Sequence, residues 1–296
     1  ILFSVGDDGT FVIDNQHGDS SLNNLALIEE VSQTPIVFVL NTHYHEDHTG
    51  GNEMFVANGA TIIAHDNVRT RLLKDVKEEK RDETALPVIT FSDTKTLHWN
   101  GKDVYIFHMP NAHTDGDALV QFRNANVIHT GDTMFSGHYP YIAQSSGGGV
   151  AGTIAALEKV SELANADTKI VPGHGPLSTK EDVINSINMI EETYALVRAE
   201  MRQGHNLEAI LEKNPLADYD ENYSWRFINT EKMTTQLFND IMANDAKAKR
   251  AVEGNETLMD KAQEVTQEAV AVTKDAAVAT KEAAEELASD AANVIK

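Results

Sequence analysis

The sequence at residues 36–51 is IVFVLNTHYHEDHTGG, an apolar β-branched run followed by a cluster of polar residues and two glycines. The apolar run predicts a buried strand that ends near Leu40. Directly after it come three histidines and an aspartate, namely His43, His45, Asp47 and His48. Imidazole nitrogen and carboxylate oxygen are ligands that zinc accepts alongside thiolate, and the chain contains no cysteine. The stretch therefore predicts a metal site at the end of a buried strand.

The spacing of these four residues predicts how they are divided between metal ions. His43 and His45 point to the same side if the chain stays extended, because side chains alternate along a strand. Asp47 and His48 are adjacent, so they diverge and can serve a second ion. A polar loop of hydrogen-bonded histidines is the alternative, but packed imidazoles and a carboxylate carry a desolvation cost that a cation offsets. The cluster therefore favours two metals.

Three further segments place a histidine or an aspartate after an apolar strand. They are residues 110–117, 129–133 and 171–176, which contain His113, Asp132 and His174. Open α/β sheets place their sites at the carboxyl ends of strands. We therefore expect all four segments to converge on one pocket.

The composition bounds the partners of the chain. Its 296 residues include 24 basic and 46 acidic side chains, which gives a net charge of −22. Phosphate binding needs clustered basic residues, so this balance disfavours nucleic acid and anionic membrane surfaces. No apolar run is long enough to span a membrane. The chain begins at Ile1 within an apolar run, so we expect a periplasmic or secreted protein whose leader has been removed. A cytoplasmic protein is the alternative, because the absence of cysteine fits either compartment.

The order of predicted elements divides the chain into three regions. Strands and helices alternate up to about residue 83, and a meander of strands follows, which is typical of an α/β domain. We expect this domain at 1–205, a helical extension packed on it at 206–245, and a helical or disordered tail rich in Ala, Glu and Lys at 246–296. The tail repeats at intervals of about eleven residues with a weak apolar stripe. It could mediate self-association or bind a partner.

The remaining histidines of interest are assigned structural roles. His17 is predicted to be a solvated loop residue, and His65 a capping or surface residue where a strand meets a helix. His108 and His129 lie in predicted strands, so we expect hydrogen-bonded core histidines that can act as partners of the metal ligands.

The ordered motifs resemble those of the metallo-beta-lactamase superfamily of dinuclear metallohydrolases. They are His43-x-His45-x-Asp47-His48, then His113, then Asp132 within Thr-Gly-Asp, then His174 between glycines. The likeness covers about residues 1–198. It implies an αββα sandwich with the site at one edge of its two sheets.

The resemblance also implies a role for each motif residue. His43, His45 and His113 would bind the first zinc, Asp47, His48 and His174 the second, and Asp132 would bridge both; iron and manganese also accept these ligands. The resemblance implies that a hydroxide between the metals attacks the substrate, and that Asp47 orients it and returns a proton. Tyr139 and Tyr141 are expected to line the pocket and contact the substrate, with loop packing as the alternative.

The resemblance implies hydrolysis of a small-molecule carbonyl, either a β-lactam, lactone, ester or thioester. Many true lactamases have a lysine three positions after the residue at Asp132, whereas this chain has Phe135. Asp132 itself resembles the glyoxalase and lactonase branches. The alternatives are a phosphodiesterase or nuclease of the same superfamily, and an envelope or stress interaction protein that acts through its tail.

Overall fold

The computed structural model of the chain describes residues 1–251 together with residues 259 and 261. Residues 1–240 form one compact unit, and a second unit begins at Ile241. The first unit extends past residue 205, the predicted end of the main domain. Within the second unit, the described residues are helical. The predicted tail lies outside the described residues from 252 onward, apart from 259 and 261.

The first sheet has five strands in sequence order, and all neighbours from its second strand onward are parallel. Its strands are β1 (Leu2–Ser4), β2 (Thr10–Ile13), β3 (Ile36–Asn41), β4 (Thr61–His65) and β5 (Ile89–Phe91). The predicted buried strand at Ile36 is therefore the central strand of this sheet, and the metal-binding motif begins where it ends.

The second sheet contains the predicted meander. Its strands are β6 (Thr94–Trp99), β7 (Lys102–His108), β8 (Ala118–Phe122), β9 (Val127–Phe135) and β10 (Lys169–His174). The first four are joined by antiparallel pairing, and β10 pairs in parallel with β9 at the sheet edge.

Helices cover the outer faces of both sheets. Their bounds are α1 (Gly18–Val31), α2 (Glu46–Thr49), α3 (Asn52–Ala57), α4 (Asp66–Lys77), α5 (Val150–Leu163), α6 (Lys180–Arg202), α7 (Leu207–Lys213) and α8 (Ala217–Tyr223), with a further helical stretch at 230–240. α1 and α3 pack on the first sheet, and α5 and α6 contact β9 of the second. The predicted αββα sandwich is confirmed.

The alternation of side chains along the strands builds two apolar layers. Phe11 and Ile13 of β2 point between the sheets and pack with Ile106 and Val120 of the second sheet. Val12, between them in sequence, points the opposite way, toward α1 and α3. Because the period of a strand is two, one β2 segment supplies both layers of the core.

Two predicted loops are strands in the structure. The Thr-Gly-Asp segment was expected to follow a strand that ends at His129, but β9 continues through it to Phe135. The segment before His174 likewise belongs to β10. The two strands pair in parallel with register shifts around Pro172, and Gly131 has a φ of +51°. This bulged pairing keeps the glycine-containing segments within the sheet.

Two helix boundaries are set by the local sequence. α2 and α3 are separated at Gly50 and Gly51. The N-terminus of α6 is capped by Thr179, which accepts from the Asp182 backbone N–H while the Asp182 carboxylate accepts from the Thr179 N–H. This capping box fixes the first turn of α6.

Candidate metal centre

All seven predicted ligands meet at one edge of the two sheets. They form two groups, His43, His45, His113 and Asp132 in one, and Asp47, His48, Asp132 and His174 in the other. The two groups share Asp132. The ligands come from the segment after β3, the loop between β7 and β8, and strands β9 and β10. Their role as metal ligands stays a prediction, but the convergence of the four segments is observed.

The first group is a nearly closed triangle of imidazoles. His45 Nδ1 lies 3.0 Å from His43 Nε2 and 2.9 Å from His113 Nε2. Asp132 Oδ2 lies 3.8 Å from His43 Nε2 and 3.5 Å from His113 Nε2. The four atoms therefore surround one point from different directions.

The second group lies on the other side of the Asp132 carboxylate. Asp47 Oδ2 is 3.4 Å from His48 Nε2 and 3.2 Å from His174 Nε2. Asp132 Oδ1 is 3.0 Å from His48 Nε2, and its Oδ2 is 3.3 Å from His174 Nε2. One carboxylate therefore contacts every histidine of the second group and two of the first.

Two observations show that a metal ion fits these groups. Ligands placed 2.0–2.1 Å from a tetrahedral zinc are about 3.3 Å from one another, which is close to the measured separations. The buried His48 Nε2 and Asp132 Oδ1 also face each other without a hydrogen bond to any described residue. Buried polar atoms normally have a partner, so a cation would satisfy both.

A set of hydrogen bonds fixes the outer nitrogens of the ligands. His48 Nδ1 bonds Asp14 Oδ2 at 2.8 Å, and Asp14 also accepts from the backbone N–H and hydroxyl of Thr42. His113 Nδ1 donates to the Tyr141 carbonyl at 2.7 Å. Holding the proton on the outer nitrogen leaves Nε2 free for a metal. Sequence reasoning missed Asp14, although it directly follows β2, which is parallel to β3 and ends at the same edge.

Replacing Asp14 with asparagine should weaken metal binding. The amide can no longer offer a second carboxylate oxygen to His48 Nδ1, so the imidazole loses its orientation and part of its basicity. Loss of such a partner typically costs about 10- to 100-fold in metal affinity. Competition with a chromophoric chelator measures this. A zinc affinity equal to that of the parent chain would show that Asp14 does not support the site.

The charges of the two groups differ before any metal binds. Burial lowers the pKa of His43 well below its usual value and that of His45 to about 4, so these ligands are neutral. Burial also opposes protonation of His48 and His174, but the attraction of the neighbouring aspartates is stronger. The pKa of His48 is therefore well above its usual value, and that of His174 is raised to about 9. A cation must therefore displace protons from the second group, and its affinity there falls as pH falls.

The other histidines keep structural roles. His65 Nδ1 accepts from the Asn67 backbone N–H at the start of α4, so the predicted capping role is observed. Its ring stacks on that of His108 at 3.8 Å. His129 is fully buried, and its Nδ1 accepts from the Gly131 N–H while its Nε2 has no hydrogen-bond partner among the described residues.

His129 should make stability depend on pH. Burial lowers its pKa to about 4, against about 6.5 in the unfolded chain. Below pH 6.5 the unfolded chain binds a proton that the folded chain does not, so the free energy of unfolding falls as pH falls toward 4. Between pH 7.5 and 5.0, His129→Asn should reduce this fall by about 2 kcal/mol.

Urea unfolding of chelator-treated protein at both pH values measures this difference. The asparagine can still accept from the Gly131 N–H, so the comparison isolates the charge. His98→Asn, at an exposed position, is the matched control for the substitution of a histidine by asparagine. Identical profiles for the parent chain and His129→Asn would contradict the assignment.

An accessible cavity of about 470 Å³ opens onto both groups. Its floor contains His45, Asp47, Asp132 and His174, and four aromatic side chains form much of its wall, namely Phe135, Tyr141, Trp225 and Phe227. His17 is exposed, as predicted, and also borders the cavity. Trp225 and Phe227 belong to no recognised motif, so nothing in the sequence indicates that they line the cavity.

The structure corrects the prediction for Tyr139. Its side chain is fully buried and does not line the cavity. The Tyr139 N–H donates to Tyr223 O, its carbonyl accepts from Trp225 Nε1, and its ring packs on that of Tyr223. These contacts hold Tyr139 against the C-terminal helices, whereas Tyr141, two residues on, faces the cavity.

The fold and site define a class of αββα proteins with two adjoining His and Asp groups at one edge of the sheets, and comparison with known proteins gives the family. Residues 4–174, more than half of the chain, match the model of the metallo-beta-lactamase superfamily. The chain belongs to that superfamily, and it has two groups of residues that could hold metal ions. The predicted family is confirmed.

Curated relatives match parts of the chain. A hydroxyacylglutathione hydrolase of Pelagibacter ubique is 34% identical over 102 residues, which are 33% of this chain and 36% of that protein. One from Rhodospirillum rubrum is 28% identical over 153 residues, 51% of this chain and 52% of the relative. The alpha subunit of a 2,4-dinitroanisole O-demethylase from a Nocardioides species is 25% identical over 136 residues, 45% and 40% of the two chains. The chain thus matches about a third to a half of each relative's length.

Solved structures support the fold. A metallo-beta-lactamase from Pontibacter korlensis superposes with a TM-score of 0.54 and 15% identity, covering 64% of this chain and 85% of that one. The DIM-1 metallo-beta-lactamase gives a TM-score of 0.54 and 18% identity, covering 64% and 86%. At these identities the likeness concerns the fold. Among the described residues, no helix combines the length and apolar composition that a membrane span requires.

Proposed function

We propose that the protein is a dinuclear metal-dependent hydrolase that cleaves an acyl bond of a small molecule, with a thioester as the first candidate and an ester or lactone as the others. The observation that carries this proposal is the pair of donor groups that share Asp132 on the floor of one accessible cavity. The similarity to hydroxyacylglutathione hydrolases supports a thioester.

We propose zinc as the metal in both groups. Imidazole and carboxylate ligands without thiolate suit zinc, and also iron and manganese. His43, His45 and His113 would hold one ion, Asp47, His48 and His174 the other, and Asp132 would contact both. When bound, such a pair of ions lowers the pKa of a water molecule between them and polarises the carbonyl of the substrate.

Asp47 is the proposed catalytic residue of the chain itself. Its carboxylate is partly exposed and lines the cavity. Burial would raise its pKa, but contacts with His174 and His48 hold the pKa far below its usual range, so it is ionised at neutral pH. It would orient the attacking water, accept its proton and pass a proton to the leaving thiolate as the C–S bond breaks and the new C–O bond forms.

The cavity wall argues for an acyl substrate over a phosphodiester or a β-lactam. No lysine or arginine belongs to the described residues that line the cavity. Phosphodiesters and the carboxylate of β-lactams are usually bound by such cations. At the position of the lysine found in many lactamases, Phe135 instead stacks on His174 with ring centroids 5.0 Å apart.

A substrate panel on zinc-loaded protein tests the proposal. We expect hydrolysis of the acetyl thioester of N-acetylcysteamine, and little or none of bis(4-nitrophenyl) phosphate. Asp47→Asn should reduce kcat while retaining zinc at the first group. Hydrolysis of the phosphodiester alone, or equal turnover by parent and Asp47→Asn proteins, would contradict the proposed activity.

A further inference from the structure

We propose that Trp225 and Phe227, held in place by the segment 224–229, form an acyl-recognition wall, and that this wall makes the cavity selective for uncharged substrates with a bulky apolar acyl group. This inference rests on the proposed hydrolase function for its catalytic test, and it names the substrate class of the same site. The segment lies outside residues 4–174, which match the superfamily.

The segment is held firmly against the cavity. Trp225 Nε1 donates to the Tyr139 carbonyl at 2.9 Å, and the Trp225 N–H donates to Ile228 O at 3.0 Å. At its ends, Asp220 accepts hydrogen bonds from the hydroxyls of Ser224 and Thr230. These bonds fix the backbone on both sides of the two aromatic residues, so the wall is preorganised for binding.

The aromatic rings form a continuous surface from a predicted ligand to the cavity mouth. The Trp225 ring lies 5.7 Å from that of His174 and 5.8 Å from Phe135. It also lies 5.7 Å from Phe227, which in turn contacts Tyr141 edge-on at 5.3 Å. An acyl group attached to a carbonyl between the two donor groups would lie along this surface.

The exposure of Phe227 is poorly explained by packing within the protein. Its side chain is 49% exposed although the residue is large and apolar. It lines the cavity and contacts two other aromatic rings, those of Tyr141 and Trp225. Contiguous exposed apolar surface with a polar rim marks binding grooves, and an apolar acyl group would cover it.

The charges around the wall disfavour an anionic substrate. The Lys232 ammonium donates to the Phe227 carbonyl at 2.6 Å and lies over the Phe227 ring at 5.1 Å, so its contacts stabilise the wall. Arg226 is exposed and outside the cavity lining. A carboxylate at the far end of the acyl group would therefore meet aromatic faces, which are electron-rich, and no lysine or arginine among the described residues that line the cavity. An uncharged acyl group meets no such repulsion.

Matched thioesters of N-acetylcysteamine test the inference on zinc-loaded protein. The acyl groups are acetyl, phenylacetyl, succinyl as the anion and trimethylammonioacetyl as the cation. We expect kcat/KM for phenylacetyl to exceed that for acetyl and that for succinyl by about tenfold or more, as a filled apolar pocket typically gives. Phe227→Ala should reduce the phenylacetyl value about tenfold and leave the acetyl value within twofold.

Two further variants keep the test sharp. Trp225→Phe keeps a ring but loses the bond to Tyr139, and we expect a smaller loss of the phenylacetyl preference than in Phe227→Ala. Arg226→Ala lies between the two aromatic residues and should change none of the four rates. Turnover of acetyl and phenylacetyl at equal rates, preference for the succinyl or cationic substrate, or loss of rate in Arg226→Ala would overturn the inference.

A binding measurement separates this inference from the proposed hydrolase function. If no thioester is hydrolysed, the hydrolase proposal fails. Calorimetry with phenylacetamide, acetamide and phenylacetate still shows whether the wall prefers an uncharged apolar ligand. Tighter binding of phenylacetamide than of the other two, weakened by Phe227→Ala, would support the inference. Equal affinities, or no effect of Phe227→Ala, would overturn it.

Discussion

Asp132→Asn should lower kcat/KM for any substrate of this protein by more than about 100-fold, the upper end of what the loss of a ligand's hydrogen-bond partner costs. The effect should exceed that of losing a hydrogen-bond partner, because Asp132 is itself a predicted ligand and belongs to both donor groups. The substitution removes the shared negative charge while preserving side-chain shape. His48 Nε2 and His174 Nε2 would then lose an anionic neighbour about 3 Å away, and the second group would lose affinity for a cation.

Steady-state rates with the most active thioester measure this effect. Asp103→Asn, an exposed substitution on the second sheet, is the control and should retain parental activity. Circular dichroism should show the same secondary structure in both variants. Activity of Asp132→Asn within tenfold of the parent would contradict the shared-ligand arrangement.

Removing metal should lower thermal stability as well as activity. The first group has three imidazoles and one carboxylate, the second has two of each, and the ligand atoms of each group lie within 4.8 Å of one another. No lysine or arginine among the described residues lines the cavity and could replace two cations. A ligand at 1,000 times its dissociation constant contributes about 4 kcal/mol to the free energy of unfolding, which corresponds to about 10 °C in Tm for a domain of this size. We expect a fall of that order on chelation.

Differential scanning calorimetry with and without a chelator measures this shift. Added zinc should restore both the Tm and the activity. The Asp132→Asn protein provides an internal control, because its Tm should respond less to the chelator. An unchanged Tm in the parent chain after complete metal removal would show that the donor groups do not depend on a cation.

Much of the centre is predictable because its signals are local. The apolar run at 36–40 marks β3 by its composition, and the His43 to His48 motif follows it directly. Polar turn residues separate the strands of the second sheet, so the sequence also predicts the meander. In both cases one short stretch contains the whole signal.

The features that sequence reasoning missed depend on contacts between distant residues. Gly131 resembles the end of a strand, but pairing with β10 carries β9 past it to Phe135. Asp14 contacts His48 across 34 positions. Trp225 and Phe227 reach the cavity only because the C-terminal helices pack beside Tyr139. The predicted location of the protein and the role of residues 246–296 stay predictions.

Metal analysis of the purified protein tests the central claim most directly. The protein is loaded with zinc, freed of excess metal and assayed by inductively coupled plasma mass spectrometry, alongside Asp132→Asn and His113→Ala. The two donor groups predict about two zinc ions per chain in the parent protein and fewer in both variants. A parent chain that retains no transition metal, or variants that retain as much as the parent, would contradict it.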